Sequence, residues 1–309
     1  MKKLIQNIFI VFILFYSQVA RSQDLAKREV NDGYQLVWQD NFDGKKLDEK
    51  NNWTIEMNGN GGGNKELQYY RRENISVGKE PISGESCLII TAKRQNYLSK
   101  PFTSGRLSTQ NKMTFKYGKV EARIKIPKTA NGLWPAFWML GFDHTETNWP
   151  KCGEIDIVEM GKKKGIDKGV QDRYFNGACH WGESWNGGKY PNKGISTTND
   201  YSLQDGFHTY TMFWTPDSIK MYLDLEKFPN VKPYYEIPIT GEELPNQTSR
   251  YFRKPFYLIF NLAVGGTFSQ IYDKNDITSL IDGDAKMYVD YVKLYQKKNG
   301  NEEFHLLKR

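Results

Sequence analysis

Nine short runs of apolar and aromatic residues, each bounded by Gly, Asn, Asp or Pro, limit what this chain can fold into: "YQLVWQDNF", "SCLIITAKR", "KYGKVEARIKI", "LWPAFWML", "GEIDIVEM", "FHTYTMFWT", "SIKMYLD", "FYLIFNLAV" and "AKMYVDYVKLY". Rich in Val, Ile, Tyr, Phe and Thr, and too short for most helices, they predict an all-β, antiparallel sandwich or jelly roll. "KVEARIKI" alternates polar and apolar and should be half exposed, whereas "FYLIFNLAV" is apolar throughout and belongs near the middle of a sheet. No amphipathic pattern predicts a helix longer than two turns. The 309 residues fit one large β-domain.

Residues 2–23 begin with two lysines, continue through the apolar run Ile8 to Tyr16 and end in small and polar residues, the pattern of a secretory signal peptide cleaved between Ala20 and Gln23. The run is about half the ~20 residues that span a bilayer, so no transmembrane span is expected. No cysteine follows it, which argues against a lipid anchor. The expected organisation is a signal peptide over residues 1–22 and a single domain over 23–309, exported as a monomer to the periplasm or the medium. Up to Gln296, where a charged tail begins, there is no repeat, low-complexity tract or linker. The net charge of +7 comes from 43 scattered bases against 36 acids and marks a solvated surface rather than a nucleic-acid partner. Cys87, Cys152 and Cys179 are too few and too scattered for a disulfide framework or a zinc site and read as small buried residues. With 19 Tyr, 17 Phe and 8 Trp, the chain is well supplied with flat rings able to stack on sugars.

One run breaks the pattern of its own strand. "GEIDIVEMG" is a buried strand by its Ile and Val content, yet it carries Glu154, Asp156 and Glu159. Period-two alternation puts Glu154 and Asp156 on one face and Glu159 on the other. A β-bulge through Ile157 and Val158 would shift the alternation and bring all three acids to one face. The two glutamates would then be about four strand steps apart, roughly 13 Å between backbones at ~3.3 Å per residue. Side chains leaning together can close that to the ~5–5.5 Å of a nucleophile and acid pair in a retaining glycosidase. Like charges so close repel, so one of them should hold a proton near neutral pH.

These motifs resemble glycoside hydrolase family 16, whose bulged signature is Glu-x-Asp-x-x-Glu. The resemblance runs along nearly the whole mature chain, through "LVWQDNFDG", "NKELQYY", "GLWPAFWMLG", "WPKCGEIDIVEMG", "NLAVGG" and "MYVDYVKLYQ". It is nearest the laminarinase and licheninase branch, and it implies a lectin-like jelly roll with a concave substrate cleft. It also implies Glu154 as nucleophile, Glu159 as general acid and then base, and Asp156 as the hydrogen-bonding partner of the nucleophile. His180 and Trp181 in "ACHWG" resemble the family's pair on a neighbouring strand, and Arg106 in "SGRLST" resembles a cleft residue. Many members hold a structural calcium through the Asp of the last strand, here Asp290. The usual Asp-Glu-Phe near the start is Asp40-Asn41-Phe42 in this chain, one anionic ligand fewer. No cofactor is expected for catalysis.

The remaining candidates follow from position. Trp134 and Trp138 are four apart, so on a regular strand both rings face one side and can floor a sugar cleft. The "NGNGGGNKELQ" loop from Asn58 offers amides to sugar hydroxyls and lacks the Gly-Lys-Ser/Thr of a phosphate loop. Trp185 belongs to a loop that could cover one end of the cleft. The expected activity is retaining endo-hydrolysis of mixed-linkage β-1,3/1,4-glucan or of β-1,3-glucan such as laminarin. The alternatives are a hydrolase of an algal galactan such as agarose, porphyran or carrageenan, and a non-catalytic glycan-binding jelly roll. The last gains nothing from clustered, mutually repelling acids.

Overall fold

The computed structural model describes residues 33–298 and 300–307, so the expected signal peptide lies outside the described residues. Two large antiparallel sheets stack face to face. One has eight strands: β1 (Tyr34–Asp40), β4 (Ile75–Lys79), β5 (Ser86–Ala92), β9 (Gly118–Lys125), β14 (His208–Trp214), β15 (Ser218–Leu223), β16 (Tyr235–Pro238) and β18 (Ala285–Lys297). The other has nine: β2 (Thr54–Ile55), β7 (Arg106–Ser108), β8 (Met113–Lys116), β10 (Leu133–Gly141), β11 (Glu154–Met160), β12 (Tyr174–His180), β13 (Asn192–Thr198), β17 (Phe256–Val264) and β19 (Glu303–Leu306). A parallel pair, β3 (Gln68–Tyr70) and β6 (Phe102–Ser104), completes the jelly roll. Each of the nine apolar runs contains a strand. The α-helices among the described residues have four or five residues. None is long and apolar enough to cross a membrane.

The core lies between the sheets and is built from alternate residues of both, as a sandwich requires. Trp53 and Trp214, both with no exposed surface, are among the largest side chains in it. β17 is buried along its whole length, between β10 and β7, as its continuous apolar sequence predicts. β9 departs from expectation. It lies between β14 and β18, and its polar face is covered too, with Lys119 5% and Glu121 1% exposed. Glu121 accepts hydrogen bonds from Thr211 Oγ1 and Tyr291 OH, both at 3.1 Å, and Lys119 lies 3.4 Å away. Long neighbouring side chains can bury such a face when its charges are paired. The charged tail also returns to the sheet, where β19 pairs with β8. The three cysteines are buried free thiols, and burial raises the pKa of each.

β11 is an inner strand, between β10 and β12. Across β12, Asp156 faces Ala178 and Glu159 faces Asn176, so Ile157 and Val158 together oppose Gly177. Across β10, Val158 pairs with Phe137 and Asp156 with Trp138, which leaves Ile157 as the extra residue. Ile155, Ile157, Val158 and Met160 all join the core. Two consecutive core-facing residues reset the alternation, and Glu159 emerges on the side of Glu154 and Asp156.

Candidate active site

Hydrogen bonds and packing hold the three carboxyls on the outer face of the nine-stranded sheet. Glu154 Oε2 accepts from Trp149 Nε1 at 3.1 Å, from the loop before β11. Glu159 accepts at both oxygens, from Trp134 Nε1 at 3.0 Å and from Asn176 Nδ2 at 2.9 Å. Lys162 Nζ at 3.2 Å and Ser196 Oγ at 2.8 Å both donate to Asn176 Oδ1, which turns the amide nitrogen toward Glu159. His180 Nε2 lies 3.3 Å from Asp156 Oδ2 and 3.9 Å from Glu154 Oε1, while its Nδ1 is 3.1 Å from the Tyr190 hydroxyl. The nearest oxygens of Glu154 and Asp156 and the His180 nitrogen all lie within 4.8 Å of one another.

Crowding acids in a low-dielectric setting disfavours their charge. Burial, and then the neighbouring charge of Asp156, pushes Glu154 up to about 8. Burial and the charge of Glu159 push Asp156 well above the usual carboxylate range. Burial raises Glu159 as well, against the opposing pull of His180, its two N–H donors and Lys162. The cluster therefore cannot carry three negative charges at neutral pH, and it keeps exchangeable protons within reach of one another.

Trp134 and Trp138 share this face, as their spacing predicts. Trp134 stacks on Phe268 with ring centroids 4.8 Å apart, and Trp138 Nε1 donates to Asn261 Oδ1 at 2.6 Å. The Arg106 guanidinium lies 4.8 Å from the Trp138 ring and pairs through Nε with Glu56 at 2.8 Å. Asn58 bridges the glycine-rich loop to the sheet, its carbonyl accepting from Tyr70 N at 2.8 Å. Trp185 is 55% exposed in its loop.

Trp181 does not join the site. It is 8% exposed, meets Phe252 edge to face and donates from Nε1 to the Asn246 carbonyl at 3.0 Å, on the core side. The physical reason is alternation: with His180 turned to the acids, its neighbour turns inward. Asp290 pairs with Arg123 Nη1 at 2.5 Å. Asp40 accepts from Trp53 Nε1 at 2.8 Å and from Phe42 N at 2.9 Å. The one acid expected to anchor a calcium thus already carries a counter-cation, and this donor set does not fit the several free oxygens that a hard cation needs. Sequence reasoning missed Trp149, Lys162, Asn176, Tyr190, Asn261 and Phe268. Of these, Asn176 carried a signal, since it lies at even spacing from His180 on the same strand.

A jelly roll that presents three carboxyls from a bulged inner strand, with indoles beside them, defines a carbohydrate-active class of protein. The model of glycosyl hydrolases family 16 matches residues 44–251, and the chain belongs to that family. It is 37% identical over 268 residues to the clotting factor G alpha subunit of Tachypleus tridentatus, covering 85% of this chain and 34% of that protein. The chain thus spans about a third of that relative's length. It is 34% identical over 269 residues to a beta-glucanase of Rhodothermus marinus, covering 85% of each. Among solved structures, the Bacteroides ovatus family 16 protein of a mixed-linkage-glucan locus, in complex with G4G4G3G product, superposes with a TM-score of 0.72 at 40% identity. That match covers 84% of this chain and all of the other.

Proposed function

We propose that this chain is an exported, retaining endo-β-glucanase that cleaves mixed-linkage β-1,3/1,4-glucan in preference to β-1,3-glucan. One observation carries the reading: the bulge at Ile157 gathers Glu154, Asp156 and Glu159 on one face of an inner strand. Glu154 and Asp156 share a proton, and in the form where Asp156 carries it and donates it toward Glu154, Glu154 is the carboxylate that attacks. Glu154 attacks the anomeric carbon, the glycosidic C–O bond breaks, and the proton of Glu159 passes to the departing oxygen. In the second step Glu159 takes a proton from water, the water oxygen bonds to the anomeric carbon, and the ester to Glu154 breaks. The Trp134–Phe268 stack and Trp138 supply flat apolar surface for the sugar faces. The similarity to a protein solved with a mixed-linkage product favours that substrate over laminarin.

Incubation with barley glucan, lichenan, laminarin, agarose and carrageenan tests the reading. Release of oligosaccharides from the glucans is expected, and NMR of the first product should show the β anomer, as two displacements require. An initial α anomer would exclude double displacement. Cleavage of the galactans alone would move the substrate to the algal polymers, and binding of glucan without turnover would leave a lectin.

A further inference from the structure

We infer that Tyr234 is a positioning residue for the acids, pinning the β11 bulge from the opposite sheet. This inference rests on the double-displacement reading above. A bulge interrupts the ladder and leaves a main-chain group to find another partner. Here the Tyr234 hydroxyl donates to the carbonyl of Ile157, the extra residue itself. Tyr234 stands just before β16, its own N–H held by the Met221 carbonyl of β15 at 2.9 Å, so the hydroxyl reaches the bulge from a fixed base.

The strand beyond the bulge is shaped to admit that ring. Gly177, which opposes both Ile157 and Val158, has no side chain, and a Cβ built there would lie 3.0 Å from Tyr234 Cε2. Phe175, on the same face of β12, meets Tyr234 edge to face with centroids 4.9 Å apart. Bulge, glycine and tyrosine therefore fit as one unit. Glu154 and Asp156 precede the pinned carbonyl and Glu159 follows it. Slack at Ile157 changes where Glu159 stands relative to Glu154 while leaving the sugar-contacting indoles in place. Small misplacements of reacting groups cost rate rather than binding.

Tyr234→Phe is the test, because it keeps the ring and its packing and removes only the hydroxyl. Turnover of barley glucan should fall about tenfold or more with KM changed less than about twofold. From a dinitrophenyl oligosaccharide the dinitrophenolate departs without protonation, so kcat/KM on that substrate should stay within about threefold of wild type. Wild-type turnover of the polymer, or an equal loss on both substrates, would overturn the assignment. Amide hydrogen exchange at Val158 and Glu159 decides independently of activity: faster exchange in the variant is expected, and unchanged exchange refutes the pin. Should the wild-type protein cleave no glucan, the enzyme reading fails, and the exchange measurement alone still decides whether Tyr234 holds the bulge.

Discussion

Glu154 lies across from His180 and Glu159 across from Asn176, so the two acids are five positions apart on their strand while their partners are four apart on the next. The surplus residue is the bulge. Run as a regular strand, the same sequence would point Glu159 into the core beside Ile155 and Ile157, where an unpaired carboxylate costs several kcal/mol.

Glu154→Gln should move activity and stability in opposite directions. An amide cannot form the ester intermediate, so turnover should drop by on the order of 10⁴-fold or more. The folded protein holds the Glu154 proton up to about 8, against 4.5 for an unperturbed glutamate. Stability is therefore lost as pH rises through that window, because the folded state binds more protons than the unfolded one. Removing the group should stabilise the fold by on the order of 2–3 kcal/mol at pH 7 and much less near pH 4.5. Thermal melts of both proteins across that range measure the difference. Equal melting temperatures at both ends would mean the carboxyl titrates normally.

The pH profile of kcat/KM should show an acid limb displaced above the ordinary glutamate value of 4.5, because Glu154 must be ionised to attack and its pKa is raised. Asp156→Asn removes the like charge beside it. The acid limb of the residual activity should then move to lower pH. A limb that stays in place would show that burial alone sets the titration.

Asn176→Ala should act on the other limb. The amide N–H donated to Glu159 favours its charged form, so its loss raises the pKa of the proposed acid. The alkaline limb of kcat/KM should shift to higher pH, with a smaller shift in the same direction for Lys162→Met. Movement to lower pH would contradict the hydrogen-bond assignment.

Linkage preference is expected to depend on the exposed ring of Trp185. Efficiency on mixed-linkage glucan should exceed that on laminarin by about tenfold, equivalent to ~1.4 kcal/mol of differential transition-state binding. Trp185→Ala should narrow the ratio without abolishing cleavage. Equal efficiencies in the wild-type protein would remove the preference and leave a general β-glucanase.

Long apolar runs announced the strands that carry them, because burial on one or both faces is written directly in composition. Strands such as β13 and β4, "NKGISTT" and "ISVGK", set only Ile195, and Ile75 with Val77, against the core, too few apolar residues to mark a strand. The bulge was legible as an acid at odd spacing in an apolar strand. The misplacement of Trp181 was avoidable, since a residue next to a cleft-facing His180 must face the core. Phe268 was beyond reach, because long-range packing rather than a local pattern brings its loop against Trp134, whereas Trp149 stands only five residues before Glu154.

The parity of the chain between Glu154 and Glu159 matters as much as the identity of the acids. Deleting Ile157 alone would straighten the strand and keep the three acids on one face, whereas deleting Ile157 and Val158 together would leave every acidic residue in the sequence yet turn Glu159 inward and bring the next residue, Met160, out beside Asn176. A search for relatives that counts only the presence of the acids would accept such a chain, although its face would hold two carboxyls and a thioether. Spacing counted together with the bulge that absorbs a surplus residue thus separates an arrangement able to share a proton between attacking and departing groups from one that can only line a groove.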